Sequence, residues 1–265
     1  MPPIQGSVRF SRAFWVDKYE VTTERFRVWH EEKLRALPCD VGTCSLDPGG
    51  PYESEMIWQA DWTGMLAETS HLSGCYVPFN PDPQGRTTWQ IARDDNRWDL
   101  PMTCVTWYEA VALCASEGKR LLTEAEWIFT ATDGRPGQRY PWGDTWHDDC
   151  SYSIHKDSET SACTFPTEVG TASKGATESG VFDLSGSVFE WVWDRPWDLP
   201  PLASPDFTGG QDIPGMDNRV RHGSAFIVDP SGGDERLQNN VFEMYAATDP
   251  YGDAGFRCAK SVPLP

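Results

Sequence analysis

No stretch of this sequence approaches the run of about 18 consecutive apolar residues that a membrane-spanning helix needs. Basic residues are scarce: Lys plus Arg number 22 against 40 Asp plus Glu, a net charge of −18. With no Lys/Arg block to offset it, this charge repels phosphate backbones and argues against a nucleic-acid partner. The N-terminus has no basic-then-apolar leader, so a secretion signal is not expected within these residues. Internal repeats and flexible linkers are also missing, so residues 1–265 read as one domain. Disorder is ruled out as the dominant state by the 13 Trp, 12 Phe and 8 Tyr, whose burial offsets chain entropy. Surface scaling gives about 11,600 Å² folded against about 43,000 Å² unfolded, enough burial for a full core.

Eight cysteines stand at 39, 44, 75, 104, 114, 150, 163 and 258. Their even number and wide spacing fit four disulfides in an oxidising, extracytoplasmic compartment. A zinc site begun by Cys39-x4-Cys44 lacks a second close Cys/His pair to complete it. Free core thiols in a cytosolic protein are the remaining alternative.

Alternation of Val8, Phe10, Phe14, Val16, Tyr19 and Val21 predicts one or two strands over 8–21. Thr22 or Thr23 then caps a helix to about Leu37, with Phe26, Trp29 and Leu34 on one face. Residues 38–99 are rich in Gly, Pro, Asp and Ser and read as an irregular, disulfide-tied insertion hiding some short elements. Thr106-Trp-Tyr-Glu109 and Thr123-Glu-Ala-Glu126 are capping boxes, each opening a helix. The first helix stops near Gly118 and the second before Gly134; from 140 onward short apolar runs alternate with turn residues.

Several ordered stretches resemble the formylglycine-generating-enzyme family, also called the sulfatase-modifying-factor domain. They are Phe14-Trp-Val-Asp-Lys-Tyr-Glu-Val-Thr22, Leu100-Pro-Met-Thr-Cys-Val-Thr-Trp-Tyr-Glu-Ala110, Gly118-Lys-Arg-Leu-Leu-Thr-Glu-Ala-Glu-Trp127 and Tyr140-Pro-Trp-Gly-Asp144. Gly180-Val-Phe-Asp-Leu-Ser-Gly-Ser-Val-Phe-Glu-Trp191, Arg219-Val-Arg-His-Gly-Ser224 and Gly255-Phe-Arg-Cys258 follow in the family's order. The resemblance implies an α+β fold, the family's variant of the C-type lectin fold. That fold has small twisted antiparallel sheets, two main helices and little regular structure.

Family oxidases bind copper(I) through two cysteines shortly after the motif that Arg219–Ser224 matches, and soft thiolates suit that ion. Here no cysteine lies between Cys163 and Cys258, so no copper site is expected and formylglycine generation is disfavoured. A branch of the superfamily uses non-haem iron on an H-x3-H-x-E pattern, and none of the five histidines has that spacing. The resemblance also implies one calcium site. Side-chain oxygens would come from Asp183 and Glu190, and carbonyls from Leu184, Gly186 and Val188, a hard-oxygen set in one tight turn. Ser187 stands where the family has Asn. Where a second calcium site would lie, Cys150 and Cys163 predict a disulfide instead. Cys114 and Cys258 match a bridge from the helix opened at Thr106 to the last strand. Cys39, Cys44, Cys75 and Cys104 leave three pairings open.

His222, Ser224 and Asp229 invite a hydrolytic reading but lack a strand–elbow–helix context. The pairs Asp94-Asp95, Asp148-Asp149 and Asp234-Glu235 read as solvated loop faces. Trp107, Trp127, Trp142 and Trp191 read as core. Trp58, Trp62, Trp89, Trp98, Trp193 and Trp197 divide between loop packing and ligand stacking. The expectation is a non-catalytic, calcium-stabilised recognition module for a protein, peptide or glycan. In variable proteins of this fold with a similar G-F-R ending, the loops matching about 192–254 display diversified residues. Asn239, Asn240, Phe242, Tyr245 and Tyr251 are the display candidates here. A metal-dependent oxygenase with a non-standard site and a structural part of a surface assembly are the alternatives.

Overall fold

The computed structural model describes residues 10–32, 37–39, 43–66, 70–77, 82, 84–156, 163, 165–196, 206, 217–230 and 234–262. The chain enters through β1 (Phe14–Val16), a single strand where one or two were expected. Thr22 caps α1 (Thr23–Arg27) by accepting from the Arg25 amide. The helix does not run on as an α-helix. It widens into a π-helical turn at Val28–Glu32, which turns the buried Trp29 toward Phe26 at 5.4 Å between ring centroids. Leu34 lies outside the described residues.

The insertion carries the short hairpin β2 (Cys44–Ser45) and β3 (Ile57–Trp58), a 3-10 turn at Ala60–Leu66 and α2 (His71–Gly74). It also carries α3 (Thr88–Asp95), opened by a third capping box between Thr87 and Gln90. Leu46, Tyr52, Met56, Trp58, Leu66 and Leu72 of this stretch join the main hydrophobic core. Both expected capped helices are present: α4 (Trp107–Ser116) and α5 (Glu124–Ala131). Gly118 follows α4 with φ +67, the left-handed stop that glycine adopts without a Cβ clash.

Two sheets carry the rest. The first orders β1, β9 (Cys258–Ser261) and β4 (Arg120–Leu121), all antiparallel. The second orders β7 (Phe242–Ala246), β6 (Asn218–His222), β5 (Phe189–Trp191) and β8 (Ala254–Gly255). Its β5–β8 pair is parallel and its other pairs antiparallel. The Trp107 indole donates to the Val192 carbonyl (2.8 Å) and the Trp191 indole to the Val105 carbonyl (3.1 Å), locking the start of α4 onto the second sheet. The result is an α+β fold of small sheets with little regular structure.

All eight cysteines are paired: Cys39–Cys44, Cys75–Cys104, Cys114–Cys258 and Cys150–Cys163. The Cys114–Cys258 bridge ties α4 to β9, and the local Cys39–Cys44 and Cys75–Cys104 bridges resolve the open pairing.

Candidate functional site

The turn from Asp183 to Glu190 is wound by three left-handed residues, Asp183 (φ +61), Gly186 (φ +81) and Ser187 (φ +59). Only glycine fits at 186, because a Cβ there would meet the Ile154 carbonyl and the Ser153 hydroxyl. The Ser187 amide donates to the Ile154 carbonyl at 2.7 Å, which fixes the turn against the loop after Cys150. Leu184, Gly186 and Val188 all lie in this one turn.

Glu190 projects from β5 into the interior. Trp127 donates its indole N–H to Glu190 Oε2 at 2.9 Å, and Arg257 donates Nε to Oε2 (2.8 Å) and Nη2 to Oε1 (2.6 Å). Arg257 also donates to the carbonyls of Asp17, Lys18 and Phe182. Beside them Glu20, absent from the predicted set, accepts from the Ser187 hydroxyl (3.1 Å) and the Val188 amide (3.3 Å). Glu20, Asp183 and Glu190 are all buried, so three carboxylates face one guanidinium. Burial pushes Asp183 up to about 6, against the opposing pull of the Gly170 amide and Arg257. Burial, then the Asp183 and Glu190 carboxylates, push Glu20 well above its ordinary value.

An excess of buried hard oxygens fits a cation such as calcium. Glu190, however, already gives both oxygens to Arg257, so an ion here would rest on Asp183 and the turn's carbonyls. No group of three or more His, Cys, Asp or Glu side chains among the described residues is arranged to hold a metal by itself.

The segment after Ser224 goes to packing, with Ala225, Phe226 and Val228 buried in the core. No thiol is left to serve copper, since every cysteine is in a disulfide. The His222–Ser224–Asp229 set does not assemble. The His222 Nε2 meets Glu124 at 3.1 Å, its ring stacks on Trp127 at 4.9 Å, and Asp229 lies 3.7 Å from Lys156. His222 Nδ1 and Ser224 Oγ are buried with no hydrogen-bond partner among the described residues.

The display candidates separate. Asn239 is a correction: it is buried and donates to the Ala131 and Gln138 carbonyls, so it ties its turn to the end of α5 and the loop beyond and is not on display. Asn240 is exposed. Phe242 is half-buried and packs toward His222 at 5.9 Å. Tyr245 and Tyr251 pair at 4.3 Å on the opposite face of β7. Under them lies Arg221, 4.1 Å and 5.1 Å from the two rings, donating to Asp253 (2.9 Å) and Glu243 (2.5 Å). Arg219 beside it lies 3.8 Å from the Trp107 ring centroid. Sequence reasoning missed this buried arginine row; the Arg-x-Arg spacing at 219–221 was its signal, since residues two apart share a sheet face.

Among the divided tryptophans, Trp58, Trp89 and Trp193 are buried, Trp62 and Trp98 are half-buried, and Trp197 lies outside the described residues. Trp107, Trp127 and Trp191 are buried as expected, whereas Trp142 is half-buried, stacked on Tyr140 at 5.1 Å.

Known proteins place the chain. The Mus musculus protein named inactive C-alpha-formylglycine-generating enzyme 2 is 31% identical over 182 residues, covering 63% of this chain and 51% of that protein. The chain thus spans about half the length of that relative and of its Bos taurus counterpart. A formylglycine-generating enzyme of Thermomonospora curvata is 26% identical over 287 residues, covering 96% of this chain and 85% of the enzyme. The structure of PvdO from Pseudomonas aeruginosa shares the fold, with a TM-score of 0.60 at 20% identity over 98% of this chain and 86% of that one. The family model described as "Sulfatase-modifying factor enzyme 1-like domain" matches residues 3–262, and the chain belongs to that family.

Proposed function

We propose that this chain is a non-catalytic, extracytoplasmic recognition module. Disulfides and one calcium ion would brace it, and the face built from about 192–254 would bind a protein, peptide or glycan. The observation that carries the reading is the apolar filling after Ser224, where the resemblance puts the copper thiolates and this chain buries Ala225, Phe226 and Val228. A relative that bears the name "inactive" on the same scaffold supports it. Four disulfides favour an oxidising compartment. No helix among the described residues is long and apolar enough to cross a membrane. Calcium is supported by the carboxylate excess around Asp183, where a bound cation would neutralise charge that Arg257 leaves over.

The test combines elemental analysis, an oxidase assay and ligand screening. The expected result is about one calcium per chain and a melting temperature lowered by EDTA. With copper(I), oxygen and a cysteine peptide, no thiol is converted. Glycan and peptide arrays give hits that the Tyr245→Ala/Tyr251→Ala variant loses. Stoichiometric copper with turnover of the cysteine peptide overturns the reading.

A further inference from the structure

Among the described residues, no strand pairs with the outer edge of β7. The Ala247 amide donates to the Asp217 carbonyl at 2.8 Å, so in the β6–β7 register the pairs Arg219–Tyr245 and Arg221–Glu243 are the hydrogen-bonded ones. Val220 independently shows the same phase, bonding away from β7 to Asp194 and Val192. The N–H and C=O groups of Phe242 and Met244 therefore point away from the sheet, and neither residue has a backbone partner there among the described residues. Sheet edges are ordinarily blunted by an outward charge, a proline or a bulge. Here Glu243, the one charged side chain of the strand, is turned onto Arg221.

The two faces flanking this edge differ. On one, Phe242 and Met244 are apolar, and Met244 is 48% exposed. On the other, Glu243 and Asp253 share the single guanidinium of Arg221, which leaves one carboxylate charge over beside the Tyr245 and Tyr251 rings. A strand laid along β7 would present alternate side chains to these two faces.

Resting on the recognition reading above, we propose that β7 docks an extended peptide as a fifth strand of the second sheet. The peptide would alternate apolar residues toward Met244 with basic residues toward Glu243. Backbone pairing selects a peptide over a glycan, because only a peptide answers outward N–H and C=O groups in register. Charge selects a basic partner over a second copy, because each copy carries −18.

The experiment titrates the full chain with a capped heptapeptide alternating lysine and valine. Its control is the same peptide N-methylated on alternate backbone nitrogens, which keeps charge and side chains but removes the ladder donors. Amide hydrogen exchange is read at Phe242 and Met244, and Met244→Pro is titrated in parallel. Proline at this outward position spares the β6–β7 bonds. The expected result is slowed exchange at both amides and binding weakened at least about tenfold by either change. If Met244→Pro does not fold, the methylated peptide and the exchange pattern decide. Equal binding of both peptides means charge attraction alone and overturns the proposal, as does no binding at millimolar peptide; neither result touches the array screen that tests the recognition reading. Concentration-dependent dimers that protect the same amides give the edge to a second copy and also overturn it.

Discussion

Arg257 sits without solvent exposure among three carboxylates and three backbone carbonyls, and Glu190 is the carboxylate it pairs with directly. Glu190→Gln would strip the buried guanidinium of the carboxylate it hydrogen-bonds directly, leaving Glu20 and Asp183 as the nearby acids. The expected loss is about 3–5 kcal/mol, read from urea unfolding midpoints. Asp183 gives a pH signature of the opposite sign to an ordinary ion-paired acid. Its folded value is raised from 3.8 to about 6, so the folded chain holds that proton more tightly than the unfolded chain. Its contribution is full below the unfolded value and is lost as pH rises through about 6. Metal-free protein should therefore lose more stability between about pH 4 and pH 7 than Asp183→Asn does, and added calcium should raise the melting temperature more at the upper end. Melts of both proteins across that range check this. Asp183 and Glu190 were legible as a pair because they fall inside one motif. Arg257 and Glu20 were not joined to them, since 67 residues separate Arg257 from Glu190 and 167 separate Glu20 from Ser187. Asn239 was misread because a buried amide and a displayed one look alike along the chain.

The helices were the readable elements, because a capping box is a local chemical statement. Thr106 with Glu109 and Thr123 with Glu126 form the reciprocal bonds their spacing foretells. Thr87 and Gln90 do the same inside the stretch read as irregular, where Gly and Pro on either side masked the signature. Thr87→Ala should cost about 1 kcal/mol, read from the urea midpoint, while Thr87→Ser should cost little. The strands were harder. Most are two or three residues long, too short for alternation to declare itself, and β8 joins β5 in parallel, a pairing no local pattern announces. The break of α1 into a π-helical turn was likewise invisible, because Trp29, at its centre, packs into a core assembled from distant segments.

For the molecule as a whole, the disulfides divide by reach. Cys39–Cys44 spans 5 residues and Cys150–Cys163 spans 13, whereas Cys114–Cys258 spans 144. Replacing Cys114 and Cys258 together by Ala should lower stability by about 2–5 kcal/mol, and replacing Cys39 and Cys44 by less, since short loops constrain the unfolded chain least. Thermal melts of the two double variants give the ranking.

The position of β9 between β1 and β4 has a temporal meaning. The central strand of that sheet is the last to leave the ribosome, and its two neighbours are among the earlier ones. At ordinary synthesis speeds, β4 waits on the order of ten seconds for the partner that joins it to β1. Cys114 waits equally long for Cys258, while Cys104 and Cys75 already stand near it in sequence. A stalled or clipped nascent chain therefore gains no partial version of this sheet. For the native bridge to form directly, Cys114 must stay unspent until Cys258 has been made, so the timing of oxidation bears on which pairing the chain reaches first.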